Sequence, residues 1–165
     1  MEEKKYAVLI DGDNISSKYL DSILNEMTKY GIATYKRIYC DFTSQQSSKW
    51  RRLVRDSGIQ AMQQFANTVG KNATDSTLII DAMDILYTGN VDGFCIVSSD
   101  GDFTRLAIRL KESGMDVIGM GESKTPRSFR AACTVFTDLE ILYEAESEDD
   151  EISTKGKKPA AVSYT

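Results

Sequence analysis

Residues 6–14 read YAVLIDGDN, and residues 94–103 read FCIVSSDGDF. Each is an unbroken apolar run that leads into an Asp-Gly-Asp tripeptide. A strand covered on both faces has no polar side to alternate, so each run reads as a central strand of a parallel sheet. Neighbouring strands lie about 4.8 Å apart. The acids that follow them would therefore converge: Asp11 and Asp13 with Asn14 from the first run, Asp100 and Asp102 with Ser98 and Ser99 from the second.

Outward from these two runs, strand and helix alternate. Ile15, Tyr19, Ile23, Met27 and Tyr30 recur at helical spacing and stop before Gly31. Residues 32–40 predict a strand, 43–47 a polar loop, 48–57 a helix ending at Gly58, and 59–65 a weaker strand. Residues 66–73 form a Gly/Asn/Lys loop, with Thr74 as a candidate cap. Leu78, Ala82, Ile85 and Leu86 mark a helix that Gly89 ends. After the second run, 103–111 predict a helix, 115–119 a strand, 127–133 a helix and 134–137 a short strand. Such a chain folds as an α/β domain, a three-layer sandwich with a mostly parallel sheet of five or six strands. Its ligands bind at the carboxyl ends of the strands, near the switch in strand order.

The chain of 165 residues suits one domain, expected over residues 1–143, and it contains no histidine. That excludes Ser-His-Asp and Cys-His triads, His-ligated zinc and His acid–base chemistry. Cys40, Cys95 and Cys133 form no Cys-x-x-Cys pair and suit buried positions in a reducing compartment. No apolar stretch is long enough to cross a membrane or to serve as a signal-peptide core, so a cytoplasmic location without membrane attachment is expected. The net charge is −5, but residues 144–151, EAESEDDE, hold six acids, and three lysines follow. The remaining 17 bases and 19 acids are near balance, so the global charge neither supports nor excludes nucleic acid. From Glu144 the hydrophobic pattern fades, and residues 144–165 are expected to be a disordered tail.

Carboxylates gathered in one place repel, and a hard divalent cation is their natural counterion. Oxygen-only ligands favour Mg²⁺ or Mn²⁺. Asp75, near the start of a helix, is placed to reach the top of the sheet, where the helix dipole favours an acid. Asp81, six residues on, falls on another face, which it shares with Asp84. Each aspartate alone has a plainer reading as a cap for the helix that follows it, as Asp13 or Asp102 would be. The glycine within each tripeptide allows a sharp turn between its carboxylates.

The order IDGDN, then K-x3-D-x5-D, then VSSDGDF resembles the NYN domain, a branch of the PIN-like ribonuclease superfamily, and most resembles its bacterial LabA-like group. The likeness covers about residues 5–143. It implies a Rossmann-like sheet of order 3-2-1-4-5 and a metal-dependent endoribonuclease. Asp11, Asp75, Asp100 and Asp102 would hold Mg²⁺ or Mn²⁺ and carry the catalysis. Asn14, Ser99, Asp13 and Asp81 would support them. RNA, single-stranded above all, is the implied substrate, cut to a 5′-phosphate and a 3′-hydroxyl.

Candidate phosphate contacts are Lys71 on the loop before Asp75, Arg51 and Arg55 on one face of a helix, and Arg127 with Arg130. Each also reads as a solvated charge. Trp50 could stack on a base, but burial with Leu53 or Val54 is the preferred reading. Two other functions compete. One is an RNA-binding or interaction module of the same fold without significant turnover. The other is a haloacid-dehalogenase-type phosphatase, whose Asp-x-Asp pattern Asp11-Gly12-Asp13 resembles. A homodimer through a sheet edge or apolar helix face is compatible with the sequence, which does not locate that interface.

Overall fold

The structure is a computed structural model that describes residues 3–65 and 76–156. In chain order the elements are β1 (Lys5–Asp11), α1 (Leu20–Met27), β2 (Ile32–Cys40), α2 (Ser48–Ser57), β3 (Gln60–Gln63), α3 (Thr77–Thr88), β4 (Gly93–Val97), α4 (Thr104–Glu112), β5 (Asp116–Gly121), α5 (Arg127–Ala132), β6 (Val135–Asp138) and α6 (Leu139–Gly156). The strands form one sheet of order β3-β2-β1-β4-β5-β6, and every pairing is parallel. The implied order 3-2-1-4-5 is thus observed, with β6 added at the edge.

Both faces of the sheet are covered, which explains the two unbroken apolar runs. Tyr6, Val8 and Ile10 of β1 pack with Ile23 and Met27 of α1, Trp50 of α2 and Leu139 of α6. Ala7 and Leu9 face the other way, onto Leu78, Ala82 and Ile85 of α3, Leu106 and Ala107 of α4, and Phe129 of α5. Every residue of β4 is buried. The strand order reverses between β1 and β4, so the crevice above their carboxyl ends is where such a sheet accepts a ligand.

Most element boundaries follow the sequence reading, and the departures have local causes. The helix expected from Ile15 begins as a 3-10 turn at Ser17–Tyr19, where the Ser16 hydroxyl accepts from Lys18 N. The helix after the Gly/Asn/Lys loop starts after Ser76 and ends at Gly89, whose φ of 72° is the left-handed cap. Thr74 and the loop at 66–73 lie outside the described residues. Gly12 and Gly101 do not adopt a positive φ. At Gly12 the need is close approach instead: a Cβ there would meet Ile38 Cδ1 at 2.9 Å.

The largest departure is at the C-terminus. Residues 144–156, expected to lose structure, continue as α6 to Gly156, and 157–165 lie outside the described residues. Leu139, Leu142, Tyr143 and Glu146 recur at helical spacing and form the contact face. The Tyr143 ring meets Tyr19 edge-on at 5.4 Å, and the Ser22 hydroxyl donates to Glu146 Oε1 at 2.5 Å. Glutamate and alanine favour helix, and the contacts of Tyr143 and Glu146 dock its first turns. Truncation after Tyr143 is therefore expected to cost about 1–2 kcal/mol through the lost charged hydrogen bond. Thermal unfolding should shift down by roughly 2–8 °C. An unchanged melting temperature would mean that the acidic segment is not docked.

Candidate active site

Asp11 is the last residue of β1 and is 2% exposed. It follows the Ala7–Leu9 alternation, so its side chain lies on the α3–α4 face of the sheet. In β4 the same face carries Phe94 and Ile96, and Ser98 comes next. The register pairs Leu9 with Ile96 and Ile10 with Val97. Ser98 thus falls beside Asp11, and its hydroxyl donates to Asp11 Oδ2 at 2.7 Å. Asn14 Nδ2 donates to the same oxygen at 2.8 Å. Asp100 N donates to Ser98 Oγ at 3.0 Å, which ties the second acidic loop to the first. Asp100 Oδ1 accepts from Asp102 N at 2.9 Å and caps the 3-10 turn Gly101–Phe103. The cap is therefore Asp100, and Asp102 is exposed within the turn that it starts.

These surroundings make Asp11 a reluctant anion. Burial raises its pKa to about 6, and the charges of Asp13 and Asp100 push the same way, while the bonds from Asn14 and Ser98 pull it down. Asp13 also lies above the usual carboxylate range, through partial burial first and the Asp41 charge. It joins the β1 and β2 loops by accepting from Asp41 N at 3.2 Å.

The other nominated residues are dispersed. Ser99 lies on the opposite face, with Cys95 and Val97, and its hydroxyl accepts from Glu122 N at 2.9 Å. The hydroxyl that touches Asp11 is Ser98, a distinction that only the β1–β4 register makes. Asp81 is held by Arg37 Nη1 at 2.6 Å and by the Tyr39 hydroxyl. Asp75 and Lys71 lie outside the described residues.

Among the basic candidates, Arg51 is committed to its own loop: Nη1 donates to Phe42 O, Ser44 O and Ser47 Oγ at 2.8, 3.0 and 2.8 Å. Arg130 donates to Thr125 O and Ser123 O and lies over the Phe136 ring. Arg55 is exposed in the last turn of α2, about 10 Å along the axis from its start. Arg127 is exposed beside Pro126, which packs on Gly101 of the second acidic loop. Trp50 is 4% exposed and its Nε1 donates to Gly12 O at 3.0 Å, so it is a core residue and not a stacking platform.

Among the described residues, no three acid, histidine or cysteine side chains are grouped so as to hold a metal ion by themselves. That does not conflict with magnesium, which keeps several waters and is commonly bound through one or two carboxylates. The donors around Asp11 are a carboxylate, an amide and a hydroxyl, with Asp100 one hydrogen bond further. Their oxygens are hard ligands, the Asn14 atom turned to Asp11 being its amide nitrogen, and no described residue donates to Asp11 Oδ1. The three cysteines are all buried and free. The residues present therefore fit a hard divalent ion.

A parallel six-stranded α/β sheet with a buried acid at its switch point is a Rossmann-like domain. The chain belongs to the NYN family: the NYN domain model matches residues 5–140. A curated relative, an uncharacterised protein of Methanocaldococcus jannaschii, is 26% identical over 162 residues. That match covers 94% of this chain and 62% of the relative, so the chain spans less than two thirds of that protein's length. A solved structure of a Vibrio parahaemolyticus protein of unknown function superposes with a TM-score of 0.67 at 19% identity. It covers 83% of this chain and 93% of that one, and supports the fold.

The raised pKa of Asp11 has a thermodynamic consequence. The folded state binds this proton more tightly than the unfolded chain, so stability falls as pH rises from about 4 to about 6. At neutral pH the buried charge costs about 3 kcal/mol. Asp11→Asn, unfolded in EDTA, should be more stable than wild type at pH 7, with the gain vanishing below pH 4. Equal stability of the two proteins at pH 7 would show that this carboxylate is not held against its charge.

Proposed function

We propose that this protein is a metal-dependent endoribonuclease that cuts single-stranded RNA at the acidic pocket between β1 and β4. The observation that carries the reading is the buried Asp11, raised to about pKa 6 and linked through Ser98 to Asp100. A carboxylate is rarely held in so costly a place unless a cation or a proton-transfer step uses it. Membership of the NYN family supports nuclease chemistry over the phosphatase alternative.

Asp11, Asp100, Asp102 and Asp75 are the proposed ligands of Mg²⁺ or Mn²⁺. When bound, the ion supplies charge neutralisation at the phosphodiester and lowers the pKa of a coordinated water. Asn14 and Ser98 hold Asp11 Oδ2 and so fix the direction in which the carboxylate presents its other oxygen. Asp13 holds the β1 loop against the β2 loop. With no histidine in the chain, removal of a proton from the attacking water falls to a carboxylate. In-line attack leaves a 5′-phosphate and a 3′-hydroxyl. Among the described residues no helix is long and apolar enough to cross a membrane. The free, buried cysteines favour a reducing compartment, and we place the protein in the cytosol.

The test is cleavage of end-labelled single-stranded RNA with Mn²⁺ or Mg²⁺, beside EDTA and a phosphate monoester. Cutting should vanish in EDTA and fall at least about 10²-fold in Asp100→Asn. Mg²⁺ should also raise the melting temperature of wild type more than that of Asp11→Asn. Intact RNA with release of phosphate from the monoester would overturn the reading. RNA that binds but is never cut would instead favour the binding-module alternative.

A further inference from the structure

An open cleft of about 760 Å³ begins at Gly12, Asp13 and Asn14, directly beside the acidic pocket. One wall is the segment Ser44–Trp50, and the other includes Glu122 and Lys124 after β5. A second hollow of about 340 Å³ continues from it, sharing Ser16, Ser17 and Lys49 and adding Lys18 and Arg52 with Leu20, Asp21 and Leu53. The two form one groove, running from the first acidic loop along α1 and α2.

The groove is built rather than incidental. Burial of Trp50, with its N–H on Gly12 O, sets the rotation of α2. Lys49 and Arg52, three residues apart, then share an exposed side of the helix. Arg51 stiffens the Phe42–Ser47 wall through its three hydrogen bonds. The acids of the walls are partly engaged within the protein: Asp13 accepts from Asp41 N, and Asp41 Oδ1 accepts from Thr43 N and Gln63 Nε2. Among the described residues no acid pairs with Lys49 or Arg52, and Lys124 meets Glu122 only at 3.8 Å. Apart from Gly12 and the edges of Ile15 and Trp50, the cleft lining is serine, amide and charge. A pocket for an apolar small molecule would be lined mainly by hydrophobic side chains. Amides and hydroxyls between spaced bases suit a sugar–phosphate chain, with its 2′-hydroxyls and base edges.

We propose that this groove is the track for the single-stranded RNA on one side of the scissile phosphate, with Lys124, Lys49 and Arg52 as its phosphate contacts. This rests on the nuclease reading and goes beyond it by naming the path. It replaces Arg51 and Arg130, which are tied to their own loops, as sources of positive charge. The exposed amides of Gln45 and Gln46 meet the nucleotide nearest the acids.

The test is fluorescence anisotropy of a labelled single-stranded RNA of mixed sequence, with Ca²⁺ in place of Mg²⁺, across a series of salt concentrations. The triple variant Lys49→Ala, Arg52→Ala, Lys124→Ala should bind at least about tenfold more weakly at low salt. Its log–log salt slope should be shallower by about 2, since each single-strand phosphate contact contributes about 0.7. The double variant Arg55→Ala, Arg127→Ala should keep most of the affinity. All three groove residues are exposed, and an unchanged melting temperature checks that the triple variant folds. If wild type binds RNA and the triple variant matches it, the track is wrong while the nuclease reading stands. A loss confined to the double variant would likewise overturn the track and move the RNA path to the α5 side. If wild type binds no RNA, both the reading and the track fail.

Discussion

A carboxylate buried where β1 meets β4 is the constraint on which the upper half of the molecule depends. Asp11 is nearly sealed from solvent and is held by two neutral donors, Asn14 and Ser98, with Asp100 acting on it as a like charge. Neutral donors orient an anion without removing its charge, so the site keeps its demand for a cation. The same contact organises its surroundings. Ser98 carries the second acidic loop through Asp100 N, and the Gly12 carbonyl next to Asp11 receives the Trp50 indole. The ends of β1, β4 and α2 are thus referred to one point.

A buried charge and the stability of the fold pull in opposite directions here. The sheet below the site is apolar on both faces, with β4 wholly buried. That core tolerates a destabilising charge at its rim. The arginines show the complementary economy: Arg51 and Arg130 satisfy loop carbonyls, and Arg37 neutralises Asp81. Positive charge that would compensate the pocket is spent elsewhere, which leaves Asp11 without a basic partner among the described residues.

Much of the fold is legible along the chain because its causes are local. The two apolar runs, the helix ending at Gly89 and the order of strands and helices follow from periodicity and from backbone preference. The acids after β1 and β4 are legible for the same reason, since a strand must end where its burial ends. The helix that runs on past Glu144 was hard to read because its docking face is sparse. Leu142, Tyr143 and Glu146 are diluted by acids that face water, and composition averages over faces that packing separates.

The amino-acid sequence by itself determined the class of sheet, its two central strands and the acidic character of their carboxyl ends. Only the tertiary structure decided which hydroxyl meets Asp11. Ser98 and Ser99 are adjacent and chemically identical, and the choice rests on Leu9 standing opposite Ile96 across the β1–β4 pair. It likewise decided that Trp50 and Arg51 build a wall while Lys49 and Arg52 face the groove. A strand's alternation or a helix's phase is readable from sequence as a relative pattern. Its absolute direction is set by long-range pairing and burial, which join residues far apart in the chain.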